Sequence, residues 1–90
     1  MTEKDLESFR AKLIETTTFP TVYMFKFIVD ADNRKIALIE SLFDEEAEIL
    51  TKQSANDKYI SITSKQVAMN VDEIIEIYRK AAEIKGIIFL

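Results

Sequence analysis

The nine residues TVYMFKFIV, Thr21 to Val29, constrain the fold more than any other stretch of the chain. Side chains alternate across a strand, so Tyr23, Phe25, Phe27 and Val29 point one way and Val22, Met24, Lys26 and Ile28 the other. Both rows are largely apolar, which predicts a central strand with much of each face covered. Lys26 carries the only charge in the run. It is either an anion contact or a solvated lysine whose stem covers Met24 and Ile28. Pro20, the single proline of the chain, stands at the entrance to this strand. It biases Phe19 towards extended backbone, and the β-branched run Thr16 to Thr18 ends whatever helix precedes it.

Around this strand the other elements fall into place. Leu6, Phe9 and Leu13 recur at helical spacing over residues 3–15, with Thr2 and Asp5 placed as a capping box. Asp32 is set to cap a second helix whose buried stripe is Ile36, Ile39, Leu42 and Phe43. Ala47 to Thr51 alternates with more charge, as an edge strand does, and Ser54 to Asp57 (SAND) is the hairpin turn after it. KYISITSKQVAM is a second long strand, with Ile60 and Ile62 on one side and Tyr59, Ser61, Thr63 and Lys65 on the other. Asn70 and Glu73 open a third helix with Val71, Ile74, Ile75, Tyr78, Ala81 and Ala82 inward, and Lys85 with Gly86 suits its end. IIFL closes the chain as a last strand.

The order is a helix followed by β-α-β-β-α-β, the ferredoxin-like arrangement. It predicts an α+β two-layer sandwich in one domain over residues 1–90: a four-stranded antiparallel sheet, both later helices on one face, and an extra N-terminal helix. The two long strands lie side by side in the middle. The face without helices then shows Val22, Met24, Lys26 and Ile28 beside Tyr59, Ser61 and Thr63. An uncovered sheet face normally alternates to polar residues, and this one does not. Either the N-terminal helix folds over it, or another protein does.

Composition removes several functional classes. There is no cysteine, hence no disulfide or thiolate, and no histidine, the commonest general base and metal ligand. Net charge is −4, with 12 basic and 16 acidic residues, and the basic ones are scattered, which disfavours nucleic acid. An RNA-recognition sheet shares this topology but stacks bases on exposed aromatics, and here Phe25 and Phe27 fall on the core side. No glycine-rich phosphate loop follows a strand, as an acylphosphatase-like enzyme would need. DADN (Asp30 to Asn33) lacks the ligands of a calcium loop and reads as a helix cap, so no metal and no cofactor is expected. The acidic run Asp44, Glu45, Glu46 and Glu48 reads as a solvated loop that guards an edge strand. No apolar run reaches the roughly 18 residues of a membrane span, and the charged start is unlike a signal peptide. A cytoplasmic protein is expected.

The stretches FPTVYMFKFI, KYISIT and IYRKAAEIKGIIFL, with Ser54 before a short turn, resemble the YbeD-like family of small bacterial proteins of unknown function. The shared features are Phe19-Pro20, Lys26, Ser54, Tyr59, Ser61, Tyr78 and the closing apolar strand, and they span Thr18 to Leu90. The resemblance implies a ferredoxin-like fold related to the ACT-type regulatory domains that bind amino acids. It also implies a regulatory role, linked by analogy to lipoate metabolism, and supplies no catalytic residues. The family often has glycine after the first strand and in the hairpin, where this chain reads Asp30-Ala31-Asp32 and Ala55-Asn56-Asp57. The first of those glycines lets backbone approach a small ligand, so its absence argues against amino-acid binding.

The expected function is therefore a non-catalytic regulatory or interaction module. It binds a small metabolite or a protein through the open sheet face, at Lys26, Tyr59, Ser61, Thr63 and Met24, or through an exposed edge. Two copies can pair along the strand Ala47 to Thr51. The alternative is a small enzyme using Lys26 with Tyr59 and Ser61, which requires a concave site that partly buries the lysine.

Overall fold

A computed structural model describes residues 1–90. Its elements are α1 (Glu3–Thr16), β1 (Thr21–Asp30), α2 (Asn33–Glu40), β2 (Glu48–Gln53), β3 (Tyr59–Ala68), α3 (Val71–Ala81) and β4 (Ile88–Phe89). The sheet is antiparallel in the order β2-β3-β1-β4, the ferredoxin-like order. β1 and β3 pair along their whole length, from Thr21 opposite Ala68 to Asp30 opposite Tyr59. The alternation read from the sequence is the alternation observed. Phe25, Phe27, Val29 and Ile62 are wholly buried, while Val22, Met24 and Lys26 are exposed.

Each helix begins where a side chain can satisfy its free N–H groups. Thr2 Oγ1 accepts from Asp5 N–H at 3.1 Å while the Asp5 carboxylate accepts from Thr2 N–H at 3.0 Å. Asp32 Oδ1 accepts from Arg34 N–H at 2.8 Å. Asn70 Oδ1 accepts from Glu73 N–H at 3.1 Å, and the Glu73 carboxylate takes the N–H of Met69, one residue before the cap. Two helices end sooner than the apolar spacing predicts. α2 stops at Glu40 with Leu42 and Phe43 in turns, and α3 stops at Ala81. Tight turns through Glu83 and Ile84 then lead to Gly86 at φ +81°, a left-handed position that glycine adopts without strain. The Phe19–Pro20 peptide is cis.

The core lies between the sheet and the helices, and its centre is aromatic. Tyr78, 5% exposed, meets Phe9, Phe25, Phe27 and Phe89 at ring separations of 5.1 to 5.7 Å. The contact with Phe9 settles where α1 lies. Leu6 and Leu13 are buried with it, Arg10 Nε pairs with Asp72 at 2.9 Å, and Arg79 pairs with Glu3 at 2.8 Å. α1 thus packs on α3, in the helical layer, and leaves the opposite face of the sheet uncovered.

Candidate functional site

That uncovered face is an ordered array of side chains. Reading across the strands, Val22 stands opposite Val67, and Met24 opposite Lys65, which in turn faces Glu48. In the next row Lys26 faces Thr63, and Thr63 faces Leu50. Beyond it Ile88, Ile28, Ser61 and Lys52 lie side by side, and Tyr59 closes the array opposite Asp30. All five residues read from the sequence as a binding surface, Met24, Lys26, Tyr59, Ser61 and Thr63, therefore occupy one face.

Most of the large apolar side chains that the protein leaves in water are here. Val22 is 66% exposed, Met24 52%, Val67 54% and Leu50 73%, with Tyr59 and Ile88 about half exposed. Among them stand three lysines, Lys26, Lys52 and Lys65, and one glutamate, Glu48. None of these four charges belongs to an ion pair; the ion pairs of the protein join Arg10 to Asp72, Lys35 to Asp30, and Arg79 to Glu3 and Glu76. The chain spends its charge pairing on the helical side and at the end of β1.

The face has shallow hollows only at its ends. One of about 250 Å³ lies where Val22, Glu48, Lys65 and Val67 meet the loop of Asp44, Glu46 and Ala47. A small hollow of about 190 Å³ lies at one corner, lined by Ile28, Lys52, Gln53, Ser54, Tyr59 and Ser61. Lys26 lines none of the protein's hollows. The enclosure that a catalytic lysine needs is not built around it, so the lysine-based enzyme draws no support from this geometry. Ser61 is also occupied: its hydroxyl donates to the Lys52 carbonyl at 3.4 Å.

Several residues that carry the family resemblance prove to have work in the fold. Ser54 closes the hairpin, its Oγ accepting from Tyr59 N–H at 3.1 Å and donating to Asn56 Oδ1 at 2.8 Å. Asp57 takes the left-handed turn position at φ 58°. Phe19 packs against the core and Tyr78 sits within it. The Tyr78 hydroxyl lies 3.0 Å from that of Tyr23, and burial, then this bond, pushes the Tyr78 phenol well above its ordinary pKa of 10.0. Lys26 has no comparable task.

The residue pattern alone did not reveal the larger recess on the helical side. Between α2 and the turns after α3, a groove of about 590 Å³ is lined by four cations, Arg34, Lys35, Lys80 and Lys85, and two carboxylates, Asp32 and Glu83, with Leu38 and Ile84 among its apolar residues. Lys35 is tied to Asp30 at 2.7 Å, which holds the Asp30 carboxyl below its usual value; Arg34, Lys80 and Lys85 have no carboxylate partner. These cations come from two segments far apart in sequence, Arg34 with Lys35 and Lys80 with Lys85, so no local spacing announces them.

A family model described as "Protein of unknown function (DUF493)" matches residues 15–90. The chain belongs to this family. A UPF0250 protein of Shewanella halifaxensis (strain HAW-EB4) is 29% identical over 80 residues, covering 84% of this chain and 91% of its own. The solution structure of protein HP0495 from H. pylori superposes with a TM-score of 0.64 at 19% identity, over 83% of this chain and 86% of that one. That likeness shows a shared fold. These matches agree with the YbeD-like resemblance read from the residues. Most of α1 precedes the matched segment, in keeping with a helix added outside the βαββαβ unit. No helix is long and apolar enough to cross a membrane.

Proposed function

We propose that this protein is a non-catalytic interaction module of regulatory type whose working surface is the open face of the sheet, centred on Lys26 with Met24, Tyr59, Ser61 and Thr63. One observation carries the reading: α1 packs on α3 and leaves Val22, Met24, Leu50, Val67 and Ile88 in water on a single face. Apolar side chains gathered on one uncovered face, with lysines among them, are the pattern of an interaction surface. Its centre at Lys26 lines no hollow, so that centre suits a protein better than a small metabolite, which binds in a concavity.

Affinity capture with three forms of the protein tests the reading. A partner of the face binds the wild type, is lost with Val22→Asp/Met24→Asp, and is retained with Leu38→Asp, an equally exposed site on α2. Circular dichroism checks that all three fold alike. Partners that ignore the first variant would defeat the proposal. Pairing of two copies along β2, the outer strand, is a separate expectation that sedimentation at several concentrations measures directly.

A second reading has its own support, the groove of about 590 Å³ with unpaired Arg34, Lys80 and Lys85. It fits a small anionic metabolite. Thermal-shift screening with amino acids, lipoate-related acids and nucleotides tests it, a real ligand losing its effect in Lys80→Ala.

A further inference from the structure

The chemistry of the open face also limits what can cover it, provided the face is the interaction surface just proposed. The protein as a whole is acidic, with net charge −4. The open face has the opposite character: Lys26, Lys52 and Lys65 against Glu48, all without ion-pair partners. Lys26 is the most constrained of them. It stands mid-strand on β1, with Met24 and Ile28 along the strand and Thr63, then Leu50, across it. A partner that buries those apolar neighbours must also take the Lys26 ammonium out of water. Burying an ammonium without a counter-charge is severely unfavourable, so the partner must bring a carboxylate to it. A second copy stacked face to face offers one carboxylate, Glu48, against three lysines, a contact dominated by like charge.

The form of the partner follows from the backbone. A sheet face offers side chains and no free N–H or C=O groups, so a segment lying on it must satisfy its own backbone hydrogen bonds. A helix does so, and helix on sheet is the packing already used on the other side. From Val22 to Ile28 the face runs six residues at about 3.3 Å each, roughly 20 Å, the length of a helix of about 13 residues. We propose that the open face docks an acidic amphipathic helix of a protein partner. Its apolar stripe lies on Val22, Met24, Leu50 and Ile88, one Asp or Glu meets Lys26 Nζ, and further carboxylates face Lys52 and Lys65.

The test uses the full chain with a benzophenone side chain in place of Leu50, the most exposed apolar residue of the face. The protein is irradiated in cells of its source organism and the cross-linked peptide is mapped. The expected adduct is a partner segment with apolar residues at helical spacing and at least one Asp or Glu among them. A synthetic copy of that segment then binds the wild-type protein, about tenfold or more weakly with Lys26→Glu, several-fold more weakly with Lys26→Met, and progressively less as salt is raised. Lys26→Met keeps the apolar stem and removes the charge, so equal or tighter binding would show that the lysine serves only as cover. That result, or a mapped segment without carboxylates, overturns the acidic helix and leaves the interaction face standing. An adduct only between copies of this chain also overturns it. Adducts to lipid alone, or none at all, overturn both proposals.

Discussion

Replacing Tyr78 by phenylalanine tests the centre of the fold and the sign of its pH dependence in one series. The Tyr78 ring is 5% exposed, and its hydroxyl lies 3.0 Å from the hydroxyl of the half-buried Tyr23. Tyr78→Phe keeps the ring packing and removes this bond, at a cost of about 1 kcal/mol near neutral pH. A double-mutant cycle with Tyr23→Phe should return a coupling of similar size. Alkaline pH changes the balance. Burial and the bond to Tyr23 hold the Tyr78 proton far above the ordinary value of 10.0. Above that value the unfolded chain releases a proton that the folded chain keeps, so stability falls by up to about 1.4 kcal/mol per pH unit. The Tyr78→Phe variant lacks this term, and so the two proteins should exchange order near pH 11, roughly one unit above the tyrosine's ordinary value. Urea unfolding at pH 7, 9, 10 and 11 measures it. Parallel stability curves across that range would refute the buried, hydrogen-bonded phenol.

Three further outcomes follow from other residues. Ser64 is fully buried with its Oγ unpartnered, so Ser64→Ala should stabilise the protein by about 1 kcal/mol, a melting rise of roughly 4–8 °C; a fall in midpoint would mean the hydroxyl has a partner. At Gly86 a Cβ would meet only Asp30 Oδ1 and Lys35 Nζ, both at an ordinary 3.8 Å, so Gly86→Ala should cost only the left-handed backbone at φ +81°. That is about 1 kcal/mol by urea unfolding, and less for Gly86→Asn. The bond from Arg79 holds the Glu3 carboxyl below its ordinary 4.5, and that from Lys35 holds Asp30 below its ordinary 3.8. Both groups therefore add stability above those values and lose it as pH falls through their lower folded values; Glu3→Gln/Asp30→Asn should show a shallower acid slope below about pH 4.5, and an unchanged slope would reject both pairs.

The elements most legible in the sequence are those set by local periodicity or local capping. Phe25, Phe27 and Val29 are buried and Val22, Met24 and Lys26 exposed because side-chain alternation in a strand admits no other arrangement once one row faces the core. Asn70 and Asp32 cap helices because their oxygens need only reach two or three residues onward. The helix ends were less legible. Ala82 to Lys85 continues the composition of α3, yet the chain leaves the helix after Ala81 so that Gly86 can turn it back towards β4. The seat of α1 was not legible at all. Its stripe of Leu6, Phe9 and Leu13 specifies an apolar surface without saying which, and the pairs that fix it, Glu3 with Arg79 and Arg10 with Asp72, are 76 and 62 residues apart. Distance in sequence also hid the groove, whose cations Arg34, Lys80 and Lys85 come from two separate segments.

The position of Lys26 on the open face was readable from parity, whereas its surroundings depended on α1. Had α1 crossed the sheet, Met24 and Val22 would be core residues and Lys26 a cation at the rim of a helix-sheet contact. With α1 on α3, the same apolar row has no partner within the chain, and the residues that carry the family resemblance divide into two groups. Phe19, Ser54 and Tyr78 close the hairpin or fill the core, so the fold explains them. Lys26 closes nothing, fills nothing and pairs with no carboxylate of its own chain. A lysine in a sheet face that is otherwise apolar at Val22, Met24, Ile28 and Leu50 weakens any association that fails to bring it a negative charge. On the docking proposed above, that penalty selects among partners, since it disfavours apolar surfaces without a carboxylate.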